Sequence, residues 1–480
     1  MPAPVENVRR LTACRVGRRP FALGRSMVWL IPVVMGAQAL VYGGIVPSQV
    51  AGRFPIVRLA TFNIRLEEPL IIGGVALWLL SLLPSLFATR PVFRLTPIFL
   101  LCVWAAMGLA QAAMHGMRSN NTDHLMEARA LAVPLLYFVV ARYWMSRVRL
   151  TFLARVVRAA LLPAVVVLTL GILTPISGLL EAGLALVGGI YGGNATALEP
   201  IVVFILCLLW AQVGSRRRPS ARAVALLLFV MAGMIVKLGK TNWVYVLEVP
   251  ILFYAIYGRN RLGPRRGIAR RRLLWISGLG IVLLVGGIGW LRTVHPGTLE
   301  SFLMRSKDRI TRPDADGDWS GGRFAMNREG LRKLQEEPIT GIGLGVWYEL
   351  YWHGVAIMKM PDHFAPLWFG IRGGLFTLLP IAILALWYLR QGYRACRRVV
   401  NRELQGFVTA CYMYTVAMMA YSLYGVPQNL FEPMILFWMS VAVVLSSQYH
   451  FENNMGSQNV LSVEAVDREG RSRRFEDRRV

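Results

Sequence analysis

Two kinds of side chain in this chain are suited to chemistry on an anionic substrate: a dispersed set of cations, and a histidine beside a carboxylate. The cations are Arg129, Lys237, Lys240, Arg323 and Arg328, which fall near the ends of apolar runs or in the polar interval between two of them. A guanidinium presents its N–H groups as a fork that matches two phosphate oxygens, so several cations converging from different elements suit a diphosphate. Lys237 and Lys240 are three residues apart, so one helical face carries both. The histidine is His363, preceded by Asp362, at the mouth of a long apolar run. A carboxylate beside an imidazole orients it, which fits a general base acting on a hydroxyl. Arg372 lies further into the same run, where an arginine is functional by default, with substrate or Glu248 as its partner.

Each assignment has a plainer counterpart. Cations near helix ends snorkel to headgroups, and an Asp-His pair at a helix start serves as a cap. Arg332 and Lys333 read as the solvated face of a helix and carry no site. Arg323 sits just after Gly321-Gly322 at a helix start, where the helix dipole disfavours a cation. A phosphate bound at that N-terminus removes the conflict.

The elements that must position these groups follow from composition. The chain has 480 residues, 55% hydrophobic and 16% charged. Its apolar runs have helix-spanning length and are apolar on every face, which excludes a β-barrel and reads as an all-α polytopic membrane protein. The net charge of +27 belongs to arginines in short loops, the mark of cytoplasmic loops, and nucleic acid is excluded as a partner. The cysteines, Cys14, Cys102, Cys207, Cys396 and Cys411, show neither a disulfide framework nor metal-ligand spacing.

Read in order, a basic tail (1–27) precedes about nine transmembrane helices over 28–291. A large polar loop (292–364) follows, then three further helices over 365–447 and a polar tail (448–480). Arg-only loops alternate with mixed Gly/Asn/Asp loops, which predicts about twelve spans with both termini cytoplasmic and the long loop outside. The predicted spans that concern the site are the third (95–115), fourth (130–145), eighth (242–257) and tenth (365–388). Within the long loop, Phe324, Leu331 and Leu334 recur at helical spacing. They predict an amphipathic helix over 324–337, suited to lying flat on the bilayer. A turn follows at Pro338, then Gly341, Gly343 and Gly345.

This loop resembles the core of the bacterial O-antigen ligase and O-antigen polymerase superfamily. The shared elements are Gly322-Arg323, the amphipathic stretch Leu331 to Glu337, the run Pro338 to Gly345 with its three glycines, and His363 opening a span with Gly373-Gly374. The stretch Tyr191 to Pro200 resembles a Gly/Asn loop of the same superfamily. The chain departs from it at Phe364, at Arg372 and at Lys240-Thr241-Asn242. The resemblance implies a bacterial inner-membrane, metal-independent, inverting glycosyltransferase without cofactor. Its donor is a glycan on undecaprenyl diphosphate at the periplasmic face, and its acceptor a growing glycan or a lipid A core. It also implies His363 as base and arginines on the diphosphate, and it allows a chain-length regulator as partner. Polymerase and ligase share this chemistry and both stay open. A transporter or flippase is the alternative of a different class, and it requires broken helices and charged groups at mid-membrane.

Overall fold

The computed structural model describes residues 57–59, 62–64, 97–117, 123–145, 150–158 apart from 152, 195–215, 220–236, 240–258, 323–352, 355–359, 364–399, 401–423 and 436–447, with isolated positions between 72 and 293. Among the described residues the longer helices, in chain order, are α1 (Pro97–Met117), α2 (Asp123–Met145), α3 (Ala195–Ser215), α4 (Ala221–Val236), α5 (Lys240–Phe253), α6 (Arg323–Glu336), α7 (Ala365–Arg398), α8 (Arg402–Tyr421) and α9 (Leu436–Ser447). Five residues of π-helix, Tyr254–Gly258, continue α5 past Pro250.

Local chemistry accounts for where several of these begin and end. The Ser220 hydroxyl accepts the Ala223 N–H (3.2 Å), and the Asn401 side chain accepts the Leu404 N–H (3.1 Å), so polar side chains cap α4 and α8. Helix α7 opens with Pro366 in its first turn and closes on Arg397 and Arg398, cations that complement the negative end of the helix dipole.

Among the described residues, α1 and α7 are long and apolar enough to cross a membrane; α3, α4, α5 and α9 contain shorter apolar stretches. Leu100, Val103, Met107 and Met114 of α1 and Leu375, Leu379, Ile383 and Leu386 of α7 are exposed at helical spacing. Such apolar stripes are unfavourable in water and fit lipid chains. The architecture is therefore that of a helical bundle compatible with an all-α membrane protein. Helix α2, over the expected fourth span, starts at Asp123 and not near 130, and so takes in Glu127 and Arg129.

Two short antiparallel hairpins are added to the all-α expectation: Val57–Leu59 with Phe62–Ile64 (β1, β2), and Tyr348–Trp352 with Val355–Lys359 (β3, β4). The second lies in the long loop, its register running from Tyr348↔Lys359 to Trp352↔Val355.

The main core gathers around α3, which is buried on nearly every side from Val202 to Val213, as expected of a helix apolar all round. Helices α4, α5, α8 and α9 and the second half of α7 pack about it. A smaller cluster of Ala112, Leu131, Leu344 and Trp368 lies apart from it. It joins α1, α2, α7 and the glycine run of the long loop.

The helix ends meet in two sets. In one, the Ala365 N–H at the start of α7 bonds the Ser422 carbonyl just past α8 (2.8 Å), and the glycine run meets the end of α1 and the start of α2. In the other, Arg142 near the end of α2 donates to Ser446 near the end of α9 (2.9 Å), and Gln405 at the start of α8 donates to the Cys396 carbonyl near the end of α7 (2.9 Å).

Candidate functional site

The amphipathic pattern forms α6, Arg323–Glu336, within one residue of its expected bounds at either end. Gly330 faces Leu367 and Ile371, and Gly370 faces Leu334, so small residues let α6 close on the first turns of α7. Leu331 of the stripe is left exposed.

After α6 the chain turns at Pro338 and runs into a break in α7. Gly374, at φ 64° and ψ −169°, interrupts that helix. A break leaves carbonyls on one side and N–H groups on the other without helical partners. The glycine run supplies both. Ile342 N–H bonds the Ile371 carbonyl (2.8 Å) and Gly343 N–H the Arg372 carbonyl (2.9 Å), while Leu375 N–H bonds the Pro338 carbonyl (2.8 Å) and Phe376 N–H the Ile339 carbonyl (3.2 Å). Backbone lies directly on backbone here, and that is why glycines recur. A Cβ on Gly374 would run into the Ile339 carbonyl, and one on Gly343 would lie 2.5 Å from the Gly116 nitrogen of α1. On its α1 side the run is tied by Leu344 N–H to the Ala112 carbonyl (2.9 Å).

A buried ion pair closes the assembly. Arg372 and Glu127 are 1% and 6% exposed, with the guanidinium 2.9 Å from Glu127 Oε1. Glu127 Oε2 accepts the Gly345 N–H (2.7 Å), and Arg372 also donates to the Gly343 carbonyl (3.2 Å) and to that of Val346. The partner of Arg372 is therefore Glu127 of α2 and not Glu248 of α5, because the glycine run carries Arg372 to the start of α2. Two arms of the guanidinium are occupied by protein, so its influence on a ligand passes through the loop it holds.

The other expected site residues are distributed as follows. Arg129 is half-buried on α2, two residues beyond Glu127, and Arg328 is exposed on α6. Arg323 is the first residue of α6, and Lys240 the first of α5. The Tyr245 ring of α5 lies 6.3 Å from that of Tyr421 at the end of α8, so α5 starts on the side where α8 meets the mouth of α7. Lys237, Asp362 and His363 lie outside the described residues, His363 directly preceding Phe364. Arg332 and Lys333 belong to an intrahelical ladder: Arg332 bonds Glu329 (Nε–Oε1 2.9 Å) and Glu336, and Lys333 bonds Glu336 (2.8 Å). The hydrogen bond to Glu329 raises the Arg332 pKa, and that from Lys333 lowers the Glu336 pKa.

Sequence reasoning passed over two residues of this region. Glu127 had a signal, as a carboxylate beside an apolar run with an unmatched arginine elsewhere. His115 had none, a lone histidine at the end of the expected third span. It lies on the last turn of α1 with Nδ1 3.0 Å from the Gly341 carbonyl and 3.9 Å from Glu337 Oε2.

At one end of the bundle, then, a rigid glycine run joins α1, α2, α6 and α7, with two guanidinium-bearing helices and the segment after His363 attached to it. Compared with family models, with characterised proteins and with solved structures, the chain finds no match.

Proposed function

We propose that the protein is a membrane glycosyltransferase that takes its donor glycan from undecaprenyl diphosphate and acts at the periplasmic face of the bacterial inner membrane. The observation that carries this reading is the docking of the glycine run into the break of α7. It ties the helices bearing Arg323, Arg328 and Arg129 to the mouth of α7, beside which His363 stands in the sequence. Cations from separate helices around one rigid loop suit a diphosphate leaving group better than they suit scattered snorkelling. The two sets of helix ends support an alternating topology, with Arg142, Arg397 and Arg398 placed on the cytoplasmic side by their charge; about twelve spans in all remains part of this proposal.

In the reaction, the acceptor hydroxyl oxygen attacks the anomeric carbon from the face opposite the diphosphate. The new C–O bond forms as the bond to the diphosphate oxygen breaks. The hydroxyl proton passes to His363, oriented by Asp362, and undecaprenyl diphosphate leaves with its charge held by Arg323, Arg328 and Arg129, assisted by Lys237 and Lys240. Arg372 acts by holding the loop. Joining repeat units of an exopolysaccharide or O-antigen is the preferred form; transfer of finished glycan to a lipid A core uses the same donor chemistry.

The break in α7 also favours a second reading, transport, since discontinuous helices build ion sites in transporters. Against it, four backbone groups flanking the break are taken up by the chain's own glycine run. Full-length protein in nanodiscs, given an undecaprenyl-diphosphate-linked oligosaccharide, should release undecaprenyl diphosphate and form a longer glycan. Flux of the lipid-linked donor across the bilayer without release would replace the transferase with the transporter.

A further inference from the structure

Beside the cationic helices, the same loop presents a patch of opposite character. His115 Nδ1 lies 3.0 Å from the Gly341 carbonyl. A carbonyl oxygen only accepts, so this bond puts a proton on Nδ1, and in the neutral imidazole Nε2 is then an acceptor. Glu337 adds a carboxylate 3.9 Å from Nδ1, and the two side chains are 28% and 44% exposed. The Thr340 hydroxyl donates to Glu337 Oε2 (3.4 Å). One turn below, Gln111 donates its amide to the Thr340 carbonyl (3.2 Å) and so ties this part of the loop to α1. The accessible groups are therefore acceptors: an imidazole lone pair and a carboxylate. Such a set repels phosphate and takes hydroxyl donors.

We infer that His115 and Glu337, brought together over Gly341, form a saccharide subsite that accepts hydrogen bonds from sugar hydroxyls. This rests on the transferase reading, and it divides the two ends of the substrate: diphosphate to the arginines, sugar to the His115 side. It makes His115 a binding residue distinct from the base at His363.

The test uses full-length protein in nanodiscs and saturation-transfer NMR with methyl glycosides of glucose, galactose, mannose, rhamnose and N-acetylglucosamine. At least one should receive signal from the wild type. His115→Asn keeps an amide N–H where Nδ1 stood, and hence the Gly341 bond, but removes Nε2. Glu337→Ala removes the carboxylate and leaves the Glu337 carbonyl that accepts from Gly341. Each should lower glycoside binding by about threefold to tenfold, the worth of one or two hydrogen bonds, while pyrophosphate binding stays unchanged. Glycoside signal absent in the wild type, or equal in wild type and both variants, would overturn the subsite. If pyrophosphate and undecaprenyl diphosphate fail to bind while the glycosides bind through His115, the transferase reading falls and the saccharide subsite stands.

Discussion

Arg372 and Glu127 form a pair whose halves are each costly alone. A buried ion pair contributes little net stability over an apolar replacement, but removing one partner strands a charge, at about 3–5 kcal/mol. Glu127→Gln should therefore lower the apparent Tm of the purified protein markedly. Combining it with Arg372→Met should recover part of the loss, and a double variant no more stable than Glu127→Gln would show that the pair is not the source. Arg323 has a different task, contact with the donor. Arg323→Ala should cost about 1.5–3 kcal/mol in donor use, and Arg323→Lys should stay impaired because the charge remains while the two-point geometry is lost. Wild-type transfer by Arg323→Ala in a reconstituted assay would remove Arg323 from the site. His363→Ala should reduce product per folded molecule by about 10²–10⁴-fold, the usual share of a positioned base. Near-normal turnover with reduced yield would instead make His363 a helix cap.

The element on which the site depends is the broken helix. Gly374, at φ 64° and ψ −169°, has a backbone essentially reserved for glycine, which costs an L-residue about 1–3 kcal/mol, and in addition a Cβ there would strike the Ile339 carbonyl. Gly374→Ala should release the glycine run from α7, seen as faster protease cleavage between α6 and α7 and as loss of activity. Gly278 serves as the control, since a Cβ there meets nothing within 4 Å. If Gly374→Ala matched Gly278→Ala in cleavage and activity, the docked run would not be the organising contact. Uninterrupted α-helix would have kept its own hydrogen bonds; the break exists because another strand of backbone completes it.

For the whole molecule, the sided distribution of helix ends makes a topological statement. A reporter active only in the periplasm should be active when fused after residue 320 and silent after residue 265. The reverse pattern would place the arginine helices in the cytoplasm, where the proposed donor glycan is not presented.

The helices around the site, α6 and the turn at Pro338 are legible because periodicity and Gly/Pro punctuation act over a few residues. Starts of helices are less so: α2 begins seven residues before the apolar run, since Glu127 is admitted to the interior only by its pairing. The hairpin β3–β4 has only a weak signal in the sequence, between stronger helical ones. Hydropathy also says that Arg372 needs a partner, since an unpaired charge at that depth is unfavourable. It cannot say which carboxylate answers, because Glu127 is 245 positions away and reaches Arg372 only once α1, α2 and the glycine run are packed. The same holds for His115 and Gly341, 226 positions apart, and for Gly374, whose left-handed backbone is tolerable only because the Pro338 and Ile339 carbonyls arrive to meet its neighbours. Elements follow from local preference; these contacts follow from which chemically incomplete surfaces the packed helices bring face to face.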